Sequence, residues 1–277
     1  MNIRMIISPA KKMVTDNDWM APEQLPCFLD RTEKIRAYLD HLSYEELKQL
    51  WGCSDKLARE NEQRLRQMRL TEHLTPALLA YEGIQYQYMA PRVFTDDQWD
   101  YVRSHLRILS GFYGVLRPTD GVVPYRLEMQ AKARVDGAGD LYEFWAADIC
   151  REVSRDADVI LNLASKEYSR CVEAYAREAP PVITCVFGEK KGEKVVQKAT
   201  LAKMARGEMV RYLAECGAED LDAVRKFRGL DFQFAPELSG DDRYVFLRNI
   251  RPDRPWSNPW LACRIYQKQI AFSENLY

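Results

Sequence analysis

The sequence predicts a mixed α/β (α+β) protein, folded as a single domain over residues 1–249 with an extended tail over 250–277. Three observations point there. Short apolar runs that read as buried strands are interspersed with stretches of helical periodicity along the chain. No Pro-, Gly- or Ser-rich linker divides the sequence before residue 249. With 277 residues, 47% of them hydrophobic, the chain is long enough to bury a substantial core.

Arg4-Met-Ile-Ile7 reads as a buried strand, ending at Ser8-Pro9 with Lys11 and Lys12 close behind. Helical patterns occupy about 29–41, 43–50, 55–69 and 75–81, and Thr95 with Gln98 forms a capping box for a helix to about 106. The glycine-rich Leu109–Gly121 stretch reads as loop, with Pro118 suited to the second position of a tight turn. Leu141, Trp145, Ile149 and Val153 repeat every four residues as one helix face. A second buried strand over Asp158–Leu163 leads through Ser165 into a helix over about 167–177. Val182–Phe187 and Glu193–Lys198 flank Gly188–Gly192 as a β-hairpin. A helix over about 199–216 follows, then a second hairpin from Phe232–Ala235 and Tyr244–Leu247, and a tail rich in Pro and Trp.

The stretch from Leu47 to Leu65 reads as two short helices meeting at a tight turn, a helix-hairpin-helix over about 43–69. Gly52 permits a backbone that a Cβ would penalise, and Ser54 is placed to cap the second helix. Turn amides and a helix N-terminus of this kind can bind one backbone phosphate without reading bases. Gly52, Ser54, Lys56 and Arg64 are therefore the expected DNA contacts; an ordinary helical hairpin would leave the same pattern.

Forty basic residues balance forty-one acidic ones, so a nucleic-acid surface must be a local patch. No apolar run approaches the length of a membrane span, and the first residues lack a signal peptide's apolar region; a cytoplasmic protein with no membrane contact is expected. Seven scattered cysteines with no C-x-x-C pair read as reduced thiols. His41, His73 and His105 are isolated, so neither a metal site nor a serine-hydrolase relay is expected, and glycine-rich nucleotide motifs are absent. No cofactor is expected.

Two strand ends share a pattern: Ile7 runs into Ser8 and Leu163 runs towards Ser165, each with a lysine behind, and each serine is placed to cap a following helix. If one sheet sets them side by side, they form a cleft at the carboxyl ends of buried strands, where α/β proteins bind anions. Arg117, Tyr125 and Arg126 form a further basic and aromatic source, with an Arg126–Glu128 salt bridge as the structural alternative. Lys198 and Arg206 belong to a segment from 188 to 211 with a local excess of basic residues. The expected cleft thus comprises Ser8, Lys11, Arg117, Tyr125, Arg126, Ser165, Lys198 and Arg206.

Read in order, the blocks Ile7–Lys11, Gly52–Ala58, Leu109–Pro118, Pro124–Met129, Asn162–Ser165 and Ala202–Gly207 resemble the YaaA peroxide-stress protein family. The resemblance implies a cytosolic bacterial protein that limits hydrogen peroxide damage and is associated with lowered free iron. It also implies an unusual mixed α/β fold with a helix-hairpin-helix, a positively charged cleft and binding to duplex or distorted DNA. Cys53 stands where isoleucine is usual, and Lys166 where an acidic residue is frequent, so no role passes to Lys166. Two functions stay open: sequence-independent DNA binding by a monomer, or an enzyme acting on a small anionic or nucleotide-like metabolite in the same cleft. The missing histidine favours the former, and no catalytic residue is assigned.

Overall fold

In the computed structural model, residues 1–16 and 18–248 are described; the predicted tail over 250–277, with Cys263, lies outside the described residues. The chain begins with β1 (Ile3–Ile7), buried along its whole length, and β2 (Lys12–Met13). No helix starts between them, so Ser8 caps none and Pro9 opens none. α1 (Leu29–His41), α2 (Tyr44–Trp51) and α3 (Asp55–Gln67) follow the three helical patterns. α2 opens on a Ser43–Glu46 capping box and stops at Gly52, whose φ of 52° is left-handed. Ser54 takes the N-cap position of α3, but its side chain makes no capping bond.

The helix expected over 75–81 is reduced to α4 (Ala77–Ala80) between β3 (Thr75–Pro76) and β4 (Tyr81–Glu82), because strand pairing claims both of its ends. α5 (Ile84–Met89) and α6 (Asp96–His105) come next, the latter with both bonds of the Thr95–Gln98 capping box formed. The stretch read as loop, Leu109–Gly121, keeps its turns at 111–113 and 117–120 but also holds the end of β5 (Leu106–Ser110) and all of β6 (Gly114–Leu116), antiparallel and buried, and leads into β7 (Gly121–Val122). Its glycines serve close packing: a Cβ on Gly111 would lie 3.0 Å from the backbone of residues 127–129. Pro118 does occupy the second position of a turn, closed by the Asp120 amide donating to the Arg117 carbonyl at 3.2 Å.

Leu141, Trp145, Ile149 and Val153 are all buried, but on two helices, α7 (Leu141–Trp145) and α8 (Asp148–Ser154), broken at Ala146 with φ 45°. β8 (Val159–Leu163) leads into α9 (Lys166–Glu173). β9 (Val182–Lys191) runs through the expected Gly188–Gly192 turn and reverses at Gly192 into β10 (Lys194–Val196). α10 (Ala199–Cys216), α11 (Leu221–Arg225), β11 (Phe232–Phe234) and β12 (Arg243–Arg248) complete the described chain.

The main sheet has the order β11-β12-β9-β8-β1-β5-β6, with β10 on the far end of β9. Its five inner strands, β12 to β5, are parallel, and the pairs β11–β12 and β5–β6 are antiparallel. β1 is buried on both faces, as its unbroken apolar run requires, with α6 and α8 packed against it. Ile7 lies level with Leu163 of β8 and Ile108 of β5, so these strands end on one edge. The six cysteines of the described residues are free thiols.

On that edge α10 crosses α5 at Gly207, where a Cβ would lie 2.0 Å from the Gln85 carbonyl oxygen and 3.1 Å from the Met89 nitrogen. Gly207→Ala must force the helices apart, at about 1–3 kcal/mol or more. Gly217→Ala meets nothing within 4 Å and bears only the cost of φ 56°, about 1–2 kcal/mol. Thermal denaturation should show the larger fall in Tm for Gly207→Ala; equal falls would show that the helix crossing is not tight.

Candidate functional site

The parallel pairing of β1 and β8 sets Ser8 beside Ser165. The Ser8 hydroxyl oxygen accepts from the Ser165 amide at 2.8 Å and lies 3.2 Å from the Ser165 hydroxyl. Ser165 stands at the N-cap of α9, but its side chain makes no capping bond; the two serines bond each other's strand end instead. Tyr86, on α5, donates its hydroxyl to the Ser8 carbonyl at 3.0 Å, tying that helix to the strand ends.

These groups border a cavity of about 370 Å³. Of the expected cleft, Ser8, Lys11, Tyr125, Arg126, Ser165 and Arg206 line it. Two do not. Arg117 turns to the buried Glu152, 3.6 Å away, and donates to Gln24 at 3.3 Å, while its backbone amide bonds Asp120. That is a structural network around a tight turn. Lys198, at the start of α10, is ion-paired with Glu189 of β9 at 2.7 Å.

Other lining residues escaped the sequence reading: Gln85 and Tyr86 from α5, Glu167 and Tyr168 from α9, and Lys203 from α10. Lys203 had a usable signal, since it sits three residues before Arg206 and so shares its helix side. Nothing in the local pattern of α5 marks Gln85, because its place is set by the crossing at Gly207.

Five cationic side chains around the cavity, Lys11, Lys12, Arg126, Lys203 and Arg206, meet three carboxylates, Glu82, Glu128 and Glu167. Lys11 pairs with Glu128 at 2.8 Å, Lys12 with Glu82 at 2.7 Å, and Arg126 approaches Glu128 at 3.7 Å. Arg126 therefore both lines the cavity and faces the salt-bridge partner expected in the alternative reading. Lys203 and Arg206 have no counter-ion among the described residues. Burial lowers the Arg206 guanidinium from its ordinary value, the nearby Cys185 opposing this weakly. Burial raises the Glu167 carboxyl, against a hydrogen bond from the Gln130 amide.

The floor is aromatic. Tyr125 hydrogen-bonds Ser110 at 2.6 Å and Tyr81 at 2.8 Å, and burial pushes its hydroxyl up to about 12. Its ring stacks on Phe112 with centroids 4.9 Å apart. None of the three histidines lines the cavity.

A second, more open cavity of about 740 Å³ adjoins the first and shares Lys11 and Glu128 with it. It is lined by Leu50, Trp51 and Gly52 of the α2–α3 hairpin and by Gln130 and Lys132 on the segment after Glu128. In the hairpin, Asp55 is bonded by Tyr44 at 2.6 Å, Lys48 at 3.1 Å and Arg59 at 3.0 Å. These bonds hold its carboxyl down to about 2. Arg66 pairs with Asp40 and Glu62. Gly52, Ser54, Lys56 and Arg64 are exposed, and neither Lys56 nor Arg64 has an ion pair among the described residues. Among the described residues no group of three or more His, Cys, Asp or Glu side chains could hold a metal ion, and no helix is long and apolar enough to cross a membrane.

The fold and site define a mixed α/β protein with a cation-bordered cavity at the carboxyl ends of adjacent parallel strands. Residues 3–238 match the family model of the peroxide stress protein YaaA. The chain is 53% identical to a UPF0246 protein of Lachnoclostridium phytofermentans over 246 residues, covering 89% of this chain and 96% of the relative. It is 51% identical to a UPF0246 protein of Agathobacter rectalis over 248 residues, covering 90% of this chain and all of the relative. The chain belongs to the YaaA peroxide-stress protein family.

The serine contact predicts an asymmetry. Ser8→Ala removes the acceptor of the Ser165 amide and should lower stability by about 1 kcal/mol. Ser165→Ala keeps that amide bonded through Ser8 and should cost less. Urea unfolding of both variants checks this, and a larger loss for Ser165→Ala would contradict the assigned donor and acceptor.

Proposed function

We propose that this member of the peroxide-stress family binds DNA through its backbone, without sequence preference, using the α2–α3 hairpin as a helix-hairpin-helix and the adjoining open cavity as the path of the strand. The observation that carries this reading is the exposed left-handed turn at Gly52, followed by a helix start whose Ser54 side chain makes no cap and by the unpaired cations Lys56 and Arg64. Helix-start amides left without a cap are donors for a phosphate, and nearby cations add a salt-dependent attraction. Asp55, the acidic residue nearest the turn, is largely neutralised by Lys48 and Arg59. The reading makes the protein a cytoplasmic DNA partner, active as a monomer, and puts the family's link to low free iron outside direct chelation.

A second reading, an enzyme or binder for a small anionic metabolite, is favoured by one observation, the unpaired Arg206 at the edge of the smaller cavity. A serine nucleophile there would need a general base, and the cavity offers lysines and the carboxylates Glu82, Glu128 and Glu167 but no histidine.

Two measurements test the first reading. Duplex and mismatched-bubble DNA should bind with affinity falling steeply as salt rises, and the double variant Lys56→Glu, Arg64→Glu should flatten the log–log slope by roughly 2. Flat salt dependence in the wild type would sink the reading. After anaerobic incubation with ferrous iron and desalting, metal analysis should find no tightly held equivalent; a stoichiometric iron would contradict the indirect link.

A further inference from the structure

We propose that the 370 Å³ cavity holds one phosphorylated nucleotide unit, its phosphate held by Arg206, Lys203 and Arg126 and its base against the tyrosine-lined side. Three observations carry it. Arg206 is mostly buried without a counter-ion or hydrogen bond among the described residues, and Lys203, three residues earlier on α10, is also unpaired. A guanidinium taken out of water without a partner is costly, so a cavity that keeps one beside a second free cation is matched to an anion. Gln85 Nε2, Arg126 Nε and Arg206 Nε are buried donors without acceptors, and each belongs to a side chain that lines this cavity. An acceptor-rich ligand such as a phosphate ester suits the cationic heads of Arg206 and Lys203, while Glu128 and Glu82 are engaged by Lys11 and Lys12.

The aromatic side selects more than phosphate. Tyr86, Tyr125 and Tyr168 line the cavity, and the hydroxyls of Tyr86 and Tyr125 are already committed to Ser8, Ser110 and Tyr81. With both hydroxyls engaged and the rings packed on Phe112 and Tyr81, this side of the cavity is an apolar border, which suits a base better than a second charged group. The volume falls in the range of small-ligand pockets and fits one nucleotide, not a duplex. The unit has two possible sources. It is a nucleotide everted from a strand, since the larger cavity beside the hairpin shares Lys11 and Glu128 with this one, or it is a free mononucleotide. The strand source rests on the DNA-binding reading above; the mononucleotide source does not.

The full chain is tested in two arms, as wild type, Arg206→Gln and the exposed-site variant Lys203→Glu, which leaves the core untouched. In the first, a duplex carrying 2-aminopurine at a single mismatch is titrated, with fluorescence reporting unstacking and anisotropy of a labelled end reporting binding. In the second, thermal shift is measured with AMP, deoxyadenosine and inorganic phosphate. A fluorescence rise on wild-type binding that both variants reduce by about tenfold, while duplex affinity changes little, assigns the strand nucleotide. No rise, but stabilisation of the wild type by AMP that exceeds phosphate and deoxyadenosine and is lost in the variants, assigns the free mononucleotide. Absence of duplex binding by anisotropy defeats the DNA-binding reading while the AMP arm still decides the cavity. Phosphate matching AMP with no fluorescence rise, or no response in either arm, overturns the proposal.

Discussion

No side chain fits at position 207. The crossing of α10 over α5 brings the Gln85 carbonyl to where a Cβ would stand, and the candidate site depends on that approach. α5 carries Gln85 and Tyr86, while α10 carries Lys203 and Arg206, so the cavity exists because two helices far apart in sequence meet at one missing methyl group. Tyr86 then anchors α5 to the end of β1 through the Ser8 carbonyl. The helix pair is thereby referenced to the sheet, the most buried part of the molecule.

The sheet supplies the other half. β1 lies between β8 and β5, with all three parallel, and the register that levels Ile7 with Leu163 makes Ser8 and Ser165 neighbours. The Ser165 amide is satisfied across the strand pair, by the Ser8 hydroxyl. Such a bond tightens the site's floor without consuming the cations above it. Beneath, Tyr125 is locked between Ser110 and Tyr81, so an aromatic floor is fixed by buried hydrogen bonds before any ligand arrives.

Charge is partitioned by pairing more than by number. Around the hairpin, Asp55, Asp40 and Glu62 engage Lys48, Arg59 and Arg66, leaving Lys56 and Arg64 outside any ion pair, with the exposed Glu60 one helical turn from each. Around the smaller cavity, Glu128 and Glu82 engage Lys11 and Lys12, leaving Lys203 and Arg206. A near-neutral chain thus keeps two local cationic points, and the Lys11–Glu128 pair stands between the cavities that contain or adjoin them.

The mixed α/β class, the strands at β1 and β8, the capping box at Thr95, the left-handed glycine at position 52 and the two hairpins were legible in the sequence, because each follows from a local periodicity or a backbone demand of a few residues. Family membership was legible too, since it rests on short blocks read in order. What failed was decided by distant contacts: the glycine-rich stretch is partly strand because β5 and β6 pair across a turn whose Gly111 lies against the backbone of residues 127–129, and the helix over 75–81 lost both ends to strand pairing. Ser8 and Ser165 were picked as cappers and proved to be partners of each other, while Arg117 and Lys198 went to Glu152 and Glu189. Sequence marks a cation but not its counter-ion, because the counter-ion is chosen by chain crossings. By itself the sequence therefore determined most of the elements and the family, and it named six residues that line the smaller cavity; only the tertiary structure decided which charges stay unpaired there, because counter-ions come from distant parts of the chain.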